Sequence, residues 1–118
     1  MIADDHFLIR RGLRLLLEGE PDLKVVAEAE NGQELLRQIT EMKCDLVILD
    51  LTMPGLDGLS TLDRIKSAYP DVYILILTVH KNQTFISDAL SRGADGYVIK
   101  EEQEEIILHA VRRVLAGQ

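Results

Sequence analysis

Four aliphatic residues in succession, Leu46 to Leu49, are followed directly by an acid, Asp50. A strand that is apolar at every position needs cover on both faces, which is typical of a central strand in a parallel sheet. Pro54 and Gly55 come shortly afterwards and predict that the chain turns there. Because ligands of open parallel sheets gather outside the carboxyl ends of the strands, we expect Asp50 to lie where chemistry is done.

Short apolar runs alternate with amphipathic segments along the rest of the chain. The runs predict strands at residues 1–3, 25–27, 46–49, 73–77 and 96–99. The helical spacing between the runs predicts five helices. The first covers residues 7–18, the second begins after an N-cap at Asn31, and the third runs from 57 to a stop at 70–71. The fourth lies around 86–90, and the fifth begins at about 102. Glu34 completes a capping-box-like pair with Asn31, and Gly93 suits a left-handed C-cap. This alternation predicts an α/β domain: one five-stranded parallel sheet, five helices on both faces, and right-handed crossovers.

Each predicted helix has one apolar stripe that we expect to be buried. The stripes are Ile9, Leu13, Leu16 and Leu17; Leu35, Leu36, Ile39 and Met42; Leu59, Leu62 and Ile65; Ile86, Ala89 and Leu90; and Ile107, Ala110, Val111 and Val114. Arg10, Arg11 and Arg14 are expected on the solvated face of the first helix, or against acids of a neighbouring helix or a partner.

Composition excludes several classes of protein. The 118 residues suffice for one domain with a core, and the net charge of −7 argues against direct binding to DNA or to an anionic membrane. The same charge suits a divalent cation if several acids converge. The single cysteine, Cys44, excludes an internal disulfide and fits a reducing cytoplasm, where we expect it to be a small, half-buried filler. No apolar stretch approaches the roughly 18–20 residues of a membrane span, and there is no signal-peptide pattern.

Polar side chains follow four of the predicted strands. Asp4 and Asp5 follow the first strand, Asp50 the third, Thr78 the fourth and Lys100 the fifth. Three converging carboxylates repel one another, and a hard divalent ion such as Mg²⁺ would relieve that repulsion. Simpler roles remain open: one acid of the pair caps the next helix, the lysine balances excess acid, and the threonine is a satisfied hydroxyl. Alternatively, the lysine and the threonine hold an anion brought to Asp50.

The remaining polar candidates carry weaker signals. His6 follows the acid pair, but a hard-ion site prefers oxygen, so we expect His6 in the first turn of a helix rather than as a metal ligand. His80 and His109 lack ligand spacing and are expected at the surface. Half-buried packing is the simplest role for Tyr97.

The order and spacing of these motifs resemble the receiver domain of two-component response regulators over nearly the whole chain. The motifs are Asp4-Asp5, Asp50-x-x-Met53-Pro54-Gly55, Thr78, and Gly93-Ala94-x-Gly96-Tyr97-x-x-Lys100. The Asp-Asp-His start and the Gly-Ala-Asp-Gly-Tyr-Val-Ile-Lys segment look most like the NarL/FixJ (LuxR-type) subgroup. The resemblance implies a (βα)5, flavodoxin-like and CheY-like fold. It also implies that residues 1–118 are a receiver domain, which we expect to come from a longer chain with a C-terminal helix-turn-helix output domain.

The resemblance implies specific roles at the strand ends. Asp50 would be the phosphoacceptor, attacking the phosphohistidine of a sensor histidine kinase. Mg²⁺ would be held by Asp5, Asp50 and the backbone carbonyl of Thr52, with Asp4 acting through water. Lys100 would neutralise the phosphoryl oxygens together with the ion.

The resemblance also implies a switch. Thr78 would move to hydrogen-bond the aspartyl phosphate, and Tyr97 would then turn inward. The surface formed by the fourth helix, fifth strand and fifth helix would change, and phosphorylated copies could form a homodimer. DNA would be bound only through the separate C-terminal domain. Two positions depart from the family pattern. Glu101 stands where many receivers have a proline, and its presence removes the reason for a cis peptide bond after Lys100. Val79 stands where many have a smaller residue, and it is expected to narrow access to Asp50.

Two other functions compete with that of a phosphoacceptor module. A small phosphohydrolase with Asp50 as nucleophile resembles haloacid-dehalogenase-type phosphatases, but that pattern needs a second aspartate where Thr52 stands. A flavodoxin-like cofactor binder would need a glycine-rich phosphate loop after the first strand, and the sequence has none there. We therefore expect a signalling module with self-phosphorylation and autodephosphorylation chemistry rather than an enzyme.

Overall fold

A computed structural model describes residues 1–51, 58–78, 83–100 and 104–117, without the side chains of residues 83–85. Within these ranges five strands alternate with five helices. They are β1 (Ile2–Ala3), α1 (Phe7–Glu18), β2 (Glu28–Ala29), α2 (Gly32–Glu41), β3 (Leu46–Asp50), α3 (Gly58–Ala68), β4 (Tyr73–Thr78), α4 (Gln83–Ser91), β5 (Gly96–Ile99) and α5 (Glu104–Leu115). All strands are parallel, in the order β2-β1-β3-β4-β5, which confirms the predicted fold.

Two apolar cores lie on opposite faces of the sheet, because side chains alternate along β3 and β4. One core joins Val47 and Leu49 to α2 and α3, and the other joins Ile48 to α1 and α5. Each fully buried aliphatic side chain contributes roughly 1.5–3 kcal/mol to folding. The two cores fix the direction of β3 and therefore the position of Asp50 at its carboxyl end.

The second strand is not where the apolar run predicts it. We predict residues 25–27, whereas β2 consists of Glu28–Ala29. In the observed register Ile2 lies opposite Glu28, so positions 25 and 26 fall opposite positions before Met1 and have no partner in β1. Pairing with β1 therefore decides which residues form β2, although Val25 is buried as its apolar character suggests.

The predicted helix ends are confirmed where the structure describes them. The Asn31 side chain accepts a hydrogen bond from the backbone N–H of Glu34 at 2.8 Å and caps α2. After α4, Gly93 has φ +108°, and the N–H of Ala94 reaches the carbonyl of Ala89, which is a Schellman ending. The predicted start of α3 at Asp57 lies outside the described residues. At Gly58 a Cβ would stand 2.5 Å from the carbonyl oxygen of Leu51, so α3 approaches the end of β3 too closely for a side chain.

Most of the predicted apolar stripes are buried, with two exceptions at helix margins. Met42 is exposed because it follows the last residue of α2 in an extended conformation and does not continue the stripe. Leu90 is exposed because it lies 100° around α4 from the buried Ala89. Cys44 is half-buried as predicted, and burial raises the pKa of its thiol. Across the described ranges, no helix is both long enough and apolar enough to cross a membrane.

A cavity of about 260 Å³ lies at the amino end of β1, between the chain around Val25 and the start of β3 at Leu46. The ammonium group of Met1 donates a hydrogen bond to the carbonyl of Leu46 at 2.8 Å. Burial lowers the pKa of this amine.

Candidate functional site

The carboxyl ends of β1, β3, β4 and β5 meet at one edge of the sheet. Asp4 directly follows β1, Asp50 and Thr78 end β3 and β4, and Lys100 follows β5. The register places Asp50 opposite Leu77 and therefore keeps these ends level. Asp4, Asp50 and Thr78 are fully buried. The structure thus brings together four residues that the sequence scatters over 97 positions.

The Lys100 ammonium lies between two buried carboxylates. Its Nζ is 2.9 Å from Oδ2 of Asp50 and 3.1 Å from Oδ2 of Asp4, and the side chain is 4% exposed. Burial alone would lower the pKa of Lys100, but hydrogen bonds and charge attraction from Asp50 and Asp4 outweigh it and raise that pKa. Lys100 therefore stays cationic at neutral pH and is held where it compensates both acids.

The two oxygens of Asp4 have different partners. Its Oδ1 accepts a hydrogen bond from the backbone N–H of His6 at 2.8 Å, which is the helix-entry role considered for one acid of the pair. Its Oδ2 is buried and forms an ion pair with the Lys100 ammonium at 3.1 Å. Both oxygens of this buried carboxylate are therefore compensated within the site.

The acidic pocket, defined here as Asp4, Asp5, His6 and Asp50, could hold a metal ion. One ligand atom from each of the four residues lies within 4.8 Å of the others. His6 is the N-cap residue of α1 rather than a first-turn residue, and its Nδ1 is 2.9 Å from Asp4 and 3.1 Å from Asp5. His6 lies one residue before the helical turn that we predict for it, because the strand ends at Ala3 and the next three residues all line the same edge.

Of the other predicted site residues, the structure describes Thr78 and Tyr97 but not Thr52. The backbone carbonyl of Thr78 accepts a hydrogen bond from the N–H of Lys100 at 2.8 Å, which holds the end of β5 against β4. Tyr97 lies in β5 opposite Ile76, and its side chain is 44% exposed and outside the acidic pocket. Thr52, whose carbonyl is a predicted metal ligand, lies outside the described residues. So do Met53, Pro54, Gly55, Val79, His80 and Glu101.

Arg10 supports the acidic pocket from behind and is not on the solvated face that we predict for it. It is buried, and its Nη1 donates to the carbonyl of Asp4 at 2.7 Å. Its Nε donates to Glu28 at 3.2 Å, and Arg14 donates to the same carboxylate at 2.6 Å. The hydrogen bond from Arg14, with that from Arg10, lowers the pKa of Glu28. Helical periodicity could not find this contact, because it depends on the position of β2.

Replacing Lys100 with methionine is expected to leave two buried carboxylates facing each other without a cation. Breaking a buried pair in this way costs about 3–5 kcal/mol at neutral pH. The repulsion raises the pKa of at least one of the two acids in the folded variant above its value in the unfolded chain. The folded variant therefore takes up a proton more readily than the unfolded chain, and the loss of stability becomes smaller as pH falls toward 5. Urea unfolding at pH 7 and pH 5 measures this. The exposed Lys24→Met is the control, and a Lys100→Met loss independent of pH would contradict the prediction.

Comparisons with known proteins match the chain over its full length. The family model described as the response regulator receiver domain matches residues 1–112. The nitrate/nitrite response regulator protein NarL of Escherichia coli K12 is 36% identical over 118 residues, all of this chain and 55% of that protein. A transcriptional regulatory protein of Bacillus subtilis, YhcZ, is 40% identical over 119 residues, again 100% of this chain and 55% of that protein.

The comparison with solved structures agrees. A LuxR-family two-component response regulator from Aurantimonas superimposes with a TM-score of 0.94 at 37% identity, covering 100% of this chain and 84% of that one. The chain spans about half the length of the curated relatives. The phosphohydrolase alternative is not favoured by these matches. The chain belongs to the response regulator receiver domain family and is a receiver domain of the LuxR-family two-component response regulators.

Proposed function

We propose that Asp50 accepts a phosphoryl group from a phosphohistidine of a sensor histidine kinase, and that phosphorylation changes an output surface. The observation that carries the proposal is the buried Asp50 carboxylate at the end of β3, 2.9 Å from the Lys100 ammonium and beside two further acids. In this setting the Asp50 carboxylate can act as a nucleophile, and the Lys100 ammonium can neutralise the negative charge of an incoming phosphoryl group.

The acidic pocket fits Mg²⁺. Asp5, Asp50 and the carbonyl of Thr52 would hold the ion, with Asp4 acting through water. Three carboxylates face one ammonium, so the pocket keeps an excess of negative charge that a divalent ion would neutralise. When bound, Mg²⁺ neutralises oxygens of the phosphoryl group.

The protein side of the transfer consists of positioning and charge. A carboxylate oxygen of Asp50 forms the new bond to phosphorus as the bond to the kinase histidine nitrogen breaks, and the leaving imidazole keeps the electron pair. Lys100 exchanges its hydrogen bond with Asp50 for one with a phosphoryl oxygen. In autodephosphorylation, water attacks the phosphorus of the aspartyl phosphate in the same geometry, and the bond to the Asp50 carboxylate oxygen breaks.

The switch couples this charge to the surface. Thr78 ends β4 beside the site, and its hydroxyl would bond the phosphoryl group. Tyr97 lies in β5 opposite Ile76, two residues before Thr78, and its exposed ring would turn inward. The surface of α4, β5 and α5 would then favour a new partner, such as a second copy of the domain.

Transcription is the output that the relatives suggest. YhcZ is named a transcriptional regulatory protein, and the matched region is only about half of it. The acidic charge of the present chain is unsuited to DNA. We therefore propose that the receiver controls a separate C-terminal DNA-binding domain of the helix-turn-helix type.

Incubation with acetyl phosphate and Mg²⁺ is expected to add one phosphoryl group, measured by intact mass and lost in hydroxylamine. Asp50→Asn should abolish the gain because the nucleophilic oxygen is removed. The matched control is Asp45→Asn, an exposed acid one residue before the amino end of β3. A phosphoryl group on the Asp50→Asn protein would contradict the assignment.

Thr78→Ala is expected to leave phosphorylation of Asp50 possible while uncoupling it from Tyr97. The missing hydroxyl cannot follow the phosphoryl group, so the space for the ring does not open. Ring resonances of Tyr97 measured by NMR with beryllofluoride would shift in the unmodified protein and stay in place in the variant. Tyr73, at the opposite end of β4, is the internal control. An equal Tyr97 shift in both proteins would exclude the coupling.

A further inference from the structure

We propose that Arg10 is a positioning residue for Mg²⁺ binding. It fixes the peptide bond between Asp4 and Asp5 and so keeps the Asp5 carboxylate within reach of Asp50. This rests on the proposed function and deepens it, because it names a residue that sets the metal affinity of the site without binding the metal. Arg10 touches neither the ion nor the phosphoryl group, so its effect passes through the acid pair.

The guanidinium of Arg10 lies buried behind the loop that carries the two acids. The side chain is 8% exposed, and its Nη1 donates to the backbone carbonyl of Asp4 at 2.7 Å. This carbonyl belongs to the same planar peptide unit as the N–H of Asp5. A donor that holds the carbonyl therefore fixes the orientation of the whole unit, and with it the direction from which the chain enters Asp5.

Asp5 is the less constrained of the two acids. Its side chain is 33% exposed, and its Oδ1 lies 3.1 Å from Nδ1 of His6. The backbone of Asp4 is held on both sides, because its N–H donates to the carbonyl of Ala29 at 3.0 Å and its carbonyl accepts from Arg10. The place of Asp5 therefore follows from the backbone that precedes it, and the hydrogen bond from Arg10 is the nearest fixed point of that backbone.

Arg10 is itself anchored from two directions. Its Nε donates to Glu28 in β2 at 3.2 Å, its Nη2 is 3.7 Å from Glu30, and its guanidinium carbon lies 5.7 Å from the centre of the Phe7 ring. A planar guanidinium presents its donors in a rigid fork, so it can hold a carboxylate and a carbonyl at once in one geometry. The hydrogen bond to the Asp4 carbonyl is therefore fixed in direction as well as in length.

Charge and positioning have opposite consequences for Mg²⁺ binding. Arg10 is a cation close to a site for a cation, so removing its charge alone would strengthen Mg²⁺ binding slightly. Removing its hydrogen bond to Asp4 would free the peptide that carries Asp5, and the ion would then have to order that peptide on binding. The sign of the change in affinity therefore separates the two effects.

Arg14 offers a matched control. It lies one helical turn after Arg10 in α1, and its nitrogens donate to Glu28 at 2.6 Å and to Glu18 at 3.1 Å. Within the described residues it makes no hydrogen bond to Asp4. Replacing Arg14 therefore removes the same charge and a hydrogen bond to the same Glu28 carboxylate, while the acid pair stays held by Arg10.

Titration of the full chain with Mg²⁺, followed by NMR signals of the folded protein, tests the proposal. Arg10→Met is expected to weaken Mg²⁺ binding roughly tenfold, as the loss of a residue that orients a metal ligand does. Arg14→Met should leave the affinity unchanged or slightly stronger. Phosphorylation by acetyl phosphate gives a second readout. The Mg²⁺ concentration for half-maximal rate should rise in Arg10→Met, and the rate at saturating Mg²⁺ should stay close to that of the unmodified protein.

Arg10→Lys and Arg14→Lys repeat the comparison with the charge retained, and they decide the question if Arg10→Met does not fold. Arg10→Lys is expected to bind Mg²⁺ more weakly than Arg14→Lys, because an ammonium lacks the rigid fork that holds the Asp4 carbonyl and Glu28 together. Equal Mg²⁺ affinities within each pair of variants would overturn the proposal, as would tighter binding by Arg10→Met. Those results, with Mg²⁺ binding and phosphorylation of the unmodified protein intact, would leave the proposed function standing. Absence of Mg²⁺ binding from the unmodified protein would instead overturn the metal role of the whole pocket, and this proposal with it.

Discussion

The ion pairs from Lys100 to Asp50 and Asp4 are the interactions on which the site depends. Two fully buried carboxylates would repel each other strongly in the low dielectric of the interior. The compensating charge comes from β5, which is separated from β3 by β4. A long side chain is needed to cross that distance, and the hydrogen bond from the N–H of Lys100 to Thr78 sets where it begins.

A second charge network lies behind the first and supports it. Arg10 joins the backbone carbonyl of Asp4 to Glu28, and Arg14 joins the same carboxylate to the outer face of α1. The loop that carries the acid pair is therefore held by a buried guanidinium and by hydrogen bonds, with little apolar packing of its own. Charges on both sides of the loop keep its acids at the sheet edge.

Sequence patterns predicted the parts of the fold that depend on local signals. The aliphatic runs of β3, β4 and β5 placed those strands, and the spacing of Leu13 and Leu17 placed α1. Patterns failed where partners are distant: β2 depends on the register of β1, and the burial of Arg10 depends on β2. The convergence of Asp4, Asp50, Thr78 and Lys100 at one edge was predictable, because parallel strands end together. The place of the His6 ring was not, since it depends on where β1 stops.

The site is also spread along the chain in a way that bears on synthesis. Asp50 and Lys100 are 50 positions apart, and His6 and Lys100 are 94 apart. A ribosome delivers residues in order, and native contacts of high sequence separation form late. The growing polypeptide thus carries its acids well before their neutralising lysine emerges. Until β5 is made, the carboxylates at the ends of β1 and β3 lack the ammonium that compensates them in the folded domain.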